Sequence, residues 1–78
     1  MPPPFTLSAY AIADDGGSRQ LFAVHNQQDQ RRLQEHAVNL GGRLNGNWYA
    51  MANGQGVNAL QQMTTQMRGH AYHLPKVN

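Results

Sequence analysis

Apolar and polar residues that alternate with a period of two predict strands, and apolar residues that recur every three to four positions predict helices. Residues 5–13 (FTLSAYAIA) follow the first pattern. Phe5, Leu7, Ala9, Ala11 and Ala13 fall on one face, and Thr6, Ser8, Tyr10 and Ile12 on the other. That second face turns apolar at its end. Asp14-Asp15-Gly16-Gly17 follows as a turn, because glycine accepts positive φ and aspartate bonds to nearby amides. Residues 18–25 (SRQLFAVH) read as the returning strand, so a β-hairpin opens the chain.

The second pattern starts at Asn26. Its side chain suits an N-cap, and Asp29 suits the positive end of a helix. Across residues 27–40, Leu33, Ala37 and Leu40 recur at i, i+4 and i+7, giving one narrow apolar stripe. Gly41 stands where a left-handed C-terminal cap is needed. Residues 43–52 (RLNGNWYAMA) return to strand composition, with Asn45-Gly46 as the two-residue hairpin signal. Trp48 and Ala50 share one face there, Tyr49 and Met51 the other. We expect Trp48 to anchor the core under the second helix, leaving Tyr49 or Tyr10 as the surface aromatic. Residues 53–56 (NGQG) read as a loop. Residues 57–68 form a second helix, striped by Val57, Leu60, Met63 or Thr64, and Met67, and ended by Gly69. Residues 70–74 (HAYHL) are a last short strand that Pro75 stops.

The order β-β-α-β(β)-α-β implies an α+β fold. We expect a two-layer sandwich, with an antiparallel or mixed sheet of four to five strands and two helices on one face. The other face is then wet or covered by a partner. Residues 1–78 are read as a single small domain with residues 1–4, proline-rich, as an extended N-terminal arm. A sheet edge at residues 5–13 or 70–74 would favour self-association, since neither segment carries a charge or an internal proline.

Composition narrows the function classes. Charged residues make up 13%, and seven Asn and nine Gln replace the missing charge. A formal net charge of +2 rests on six basic and four acidic side chains. Of the basic residues only Arg31 and Arg32 are adjacent, so no contiguous phosphate footprint exists in the sequence. Absence of cysteine excludes disulfides and cysteine-based zinc sites. No apolar run is long enough to span a bilayer, and the opening residues have no signal-peptide pattern, so a cytoplasmic setting is expected.

Candidate chemistry is sparse. His25, His36, His70 and His73 lack a metal-ligand spacing, and His70 and His73 point to opposite faces of one strand. Ser8 and Ser18 have no nucleophile-elbow setting. Asp14 and Asp15 are better explained as turn residues than as an acid–base pair. Gly54-Gln55-Gly56 precedes a helix but lacks the Lys-Ser/Thr of a phosphate loop. These absences predict no catalysis, no cofactor and no metal.

The stretch from Leu40-Gly41-Gly42-Arg43-Leu44-Asn45 to Trp48-Tyr49, followed by a helix, resembles an element of small plasmid and phage proteins: helix, L-G-G-[K/R], short hairpin, aromatic, helix. The likeness covers roughly residues 27–68, and the chain departs from those modules in not being lysine-rich. The resemblance implies a mobile-element origin and carries over no site residues. The expected function is stoichiometric binding to a larger protein or nucleoprotein, as an inhibitor of a host defence would bind. Tyr10, Arg31, Arg32, Arg43, Tyr49 and Arg68 are the candidate contacts. The alternative is a nucleic-acid-binding accessory protein that uses those arginines and an exposed tyrosine.

Overall fold

The structure is a computed structural model that describes residues 9–75. Its elements are β1 (Tyr10–Asp14), β2 (Arg19–Ala23), α1 (Gln27–Asn39), β3 (Arg43–Asn45), β4 (Trp48–Ala50), α2 (Gly54–Gln66) and β5 (His70–Leu74). They make an α+β fold with one mixed five-stranded sheet ordered β3-β4-β1-β2-β5. The expected arm at residues 1–4 and the first part of the predicted strand, residues 5–8, lie outside the described residues.

The opening hairpin forms because two carboxylates close its turn. The Asp14 side chain accepts from the Gly16 amide at 2.5 Å. Asp15 accepts from Gly17 at 2.9 Å and from Ser18 at 2.8 Å. Gly16 sits at φ +92°, a left-handed conformation that costs glycine little. β1 and β2 then pair antiparallel from Tyr10 opposite Ala23 to Asp14 opposite Arg19.

Both helices carry the same two terminal devices. Asn26 accepts from the Asp29 amide at 2.8 Å. Asn53 accepts from the amides of Gln55 and Gly56. That second cap starts α2 at Gly54, three residues ahead of the expected start at Val57, because an N-cap outweighs the poor helix propensity of two glycines in the first turn. At the other ends, Gly41 and Gly42 donate to Val38 and Ala37, while Arg68 and Gly69 donate to Thr65 and Thr64. Each set is a Schellman motif. The left-handed position is Gly41 at φ +89° in the first and Arg68 at φ +61° in the second. Gly69 is therefore not the left-handed cap expected of it. Its role is close approach, since a Cβ there would collide with the Ala23 carbonyl oxygen.

The core lies between the helices and one face of the sheet. Ala11, Ala13, Phe22 and Tyr49 from the strands cluster with Leu33 and Ala37 of α1 and Val57 and Leu60 of α2. Thr64, also buried, satisfies its hydroxyl by donating to the Leu60 carbonyl at 2.8 Å. Met63, the other candidate for that stripe position, packs against the core while partly exposed. Small alanines on β1 let α1 lie close to the strands.

Three expectations need correction. The hairpin turn is Gly46-Asn47 rather than Asn45-Gly46, since Asn45 pairs with Trp48 and Gly46 takes φ +69°. A positive φ at the first turn position alone is the type II′ pattern, which places its glycine there. Second, the described part of the strand predicted over 5–13, which lies in β1, is central. β1 is flanked by β2 on one side and by β4, in parallel, on the other. Among the described residues the edges are β5 and β3. Third, Tyr49 is 8% exposed and belongs to the core, while Trp48 stands on the opposite face. The parallel register sets Tyr49 beside Ala13, which points toward the helices. The period-two reading of β4 was correct, and only the choice of its inner face was reversed.

Candidate functional site: the open face of the sheet

Among the described residues no helix covers the second face of the sheet. The strand registers place its side chains in rows. Ile12, Leu21 and Tyr72 stand opposite one another across β1, β2 and β5. Carried one residue back, the β1–β4 register sets Trp48 beside Ile12. An apolar and aromatic band therefore runs across four strands. The next row reads Arg43, Ala50, Asp14, Arg19 and Leu74. It places charge directly beside the band.

Arg19 ties the two rows together. Its Nε donates to Asp14 Oδ2 at 3.0 Å, and its guanidinium carbon lies 4.5 Å from the centroid of the Trp48 ring. The ion pair fixes the guanidinium plane, and the cation stacks on the indole. Asp14 is 4% exposed, so the carboxylate is sheltered, and it also accepts from the Gly16 amide. At the β5 edge, His70 meets Tyr72 edge-to-face with ring centroids 4.6 Å apart. Tyr72 is exposed.

The candidate contacts separate in space. Tyr10 lies half-buried on the open face, at the end of the sheet away from the Asp14 turn. Its carbonyl points past the start of β4 and is satisfied by Gln30 Nε2 of α1 at 2.9 Å. Arg43 is exposed on the edge strand β3. Arg31 and Arg32 are exposed on α1, in the other layer, where Arg32 lies 3.8 Å from Asp29. Arg68 is exposed in the left-handed cap of α2, and its carbonyl meets His25 Nε2 at 2.8 Å. Tyr49 is largely buried in the core and presents little surface to a partner.

Sequence reasoning missed Trp48, Leu21 and Tyr72 as surface residues. Leu21 was open to discovery from its alternation with Phe22 in the returning strand, whereas placing Trp48 and Tyr72 beside it needed the strand pairing. A groove of about 370 Å³ lies where β1 outruns β4, lined by Tyr10, Gln30, Gln34, Leu44 and Tyr49 among others. Amides dominate its polar lining, and it holds no acid or histidine.

Among the described residues, no three histidines or carboxylates come together as a metal would require. No helix there is long and apolar enough to cross a membrane. No family model matches the chain, and neither curated proteins nor solved structures yield a match.

Proposed function

We propose that the chain is a small non-enzymatic protein-binding module that acts in the cytoplasm by stoichiometric association. Its binding surface is the open face of the sheet, and its partner is a larger protein or nucleoprotein complex. The likeness of residues 27–68 to plasmid and phage modules makes inhibition of a host defence the leading role. The observation that carries this reading is the band Trp48–Ile12–Leu21–Tyr72 beside Arg19 and Arg43, uncovered by any helix among the described residues. Aromatic residues and arginine are enriched at protein interfaces, and few charges need to be desolvated there.

The alternative is an accessory protein that binds nucleic acid. Two observations favour the first reading over it. The arginines are divided between the open face, α1 and the α2 cap. The ring that would best stack a base, Trp48, already carries Arg19.

Affinity capture from nuclease-treated host lysate tests the reading. A stoichiometric protein should be retained by the native chain and lost on Trp48→Ala with Tyr72→Ala. Capture that vanishes with nuclease, or that survives both substitutions, overturns it.

A further inference from the structure

We propose that β5 pairs edge-to-edge with β5 of a second copy, antiparallel about Tyr72, to make one continuous ten-stranded sheet. The inference rests on the phase of the backbone hydrogen bonds and stands apart from what binds the open face.

Hydrogen-bonded and non-bonded pairs alternate along an antiparallel ladder. The Val24 amide donates to the Ala9 carbonyl at 2.9 Å, which makes that pair hydrogen-bonded. Counting along β1 and β2, the pairs Ala11–Phe22 and Ala13–Gln20 bond in the same way. Arg19, Leu21 and Ala23 therefore turn their amides and carbonyls toward β5, where they meet Leu74, Tyr72 and His70. Ala71 and His73 are left with backbone groups directed outward. Among the described residues no strand lies beyond β5 to receive them.

This phase is self-complementary. With Tyr72 opposite Tyr72 of the second copy, Ala71 falls opposite its His73, and His73 opposite its Ala71. Both are hydrogen-bonded pairs, and each exchanges two N–H···O bonds. Tyr72 then occupies a non-bonded position, where facing side chains approach most closely, so the two phenols meet at the symmetry axis. The apolar band runs unbroken through Leu21, Tyr72 and their symmetry mates.

The usual guards of an edge are missing from this strand. Residues 70–74 contain no Lys, Arg, Asp, Glu or Pro and no bulge, since all five pair in register with β2. The other edge offers much less. β3 has three residues, and its hairpin pairs Arg43–Ala50 and Asn45–Trp48 leave only Leu44 facing outward. A pair of five-residue strands lies at the small end of interface sizes, so the dimer is weak and concentration-dependent.

Sedimentation equilibrium on the full chain tests the proposal. The weight-average mass should rise from one chain toward two between about 10 µM and about 1 mM. His73→Pro removes an outward amide and leaves the bonds to β2 intact, so it should weaken association at least tenfold with helix and strand content unchanged. Tyr72→Lys, which sets like charges against each other at the axis, should do the same if the proline variant misfolds. The Ala71 and His73 amides should gain hydrogen-exchange protection as concentration rises. A strict monomer at the highest concentration overturns the proposal. So does association that neither substitution changes. Trp48→Ala should leave self-association intact, which separates this outcome from loss of open-face binding.

Discussion

Arg68 shows how one residue's conformation separates two roles that a glycine-rich sequence suggests together. The left-handed position after α2 is held by an arginine at φ +61°, and the glycine beside it is needed for space. Arg68→Gly should stabilise the fold by roughly 0.5–1 kcal/mol, because glycine takes that conformation without Cβ strain. Gly69→Ala should destabilise it by more than about 2 kcal/mol, because the new methyl meets the Ala23 carbonyl of β2, which cannot give way as a side chain could. Chemical denaturation of the two variants decides both. At the start of α1 the chemistry was plain in advance, since Asn26 was recognisable as a cap, whereas the cap at Asn53 read as loop. Asn53→Ala should cost about 1 kcal/mol, since its side chain holds two first-turn amides.

At the scale of elements, β4 is the informative case. Alternation along Trp48-Tyr49-Ala50-Met51 was legible, but both faces are apolar, so the pattern could not say which faces inward. The parallel pairing with β1 decides it by placing Tyr49 beside Ala13. Tyr49→Ala should cost about 3 kcal/mol, as expected for emptying a buried aromatic site. Trp48→Ala should cost much less in thermal unfolding and should instead abolish capture of a partner. The reverse ordering would show that the indole is the core anchor after all. In α1, Leu33 is fully buried while Val38 is exposed, so Leu33→Ala should cost about 2–5 kcal/mol and Val38→Ala should stay within about 0.5 kcal/mol.

For the whole molecule, the distribution of charge carries the functional argument. Five arginines look like a basic set in a chain of low charge, yet folding sends them to both layers and to a loop. A protein of this kind should give no mobility shift with single- or double-stranded DNA or RNA at low salt. A shift that weakens steeply as salt rises would restore the nucleic-acid reading. The candidate site itself was only half legible. Tyr10 and Arg43 belong to the open face as residues, but nothing local places Arg43 in one row with Arg19.

What the sequence determined by itself is local: the turn at Asp14–Gly17, both helices, the last strand and the α+β class. These follow from period, caps and φ preferences, which act between near neighbours. The order β3-β4-β1-β2-β5 was decided only by tertiary structure, together with the inward turn of Tyr49, the outward turn of Trp48 and the exposed edge of β5. Each depends on which strand lies beside which, and that pairing joins residues far apart in the chain.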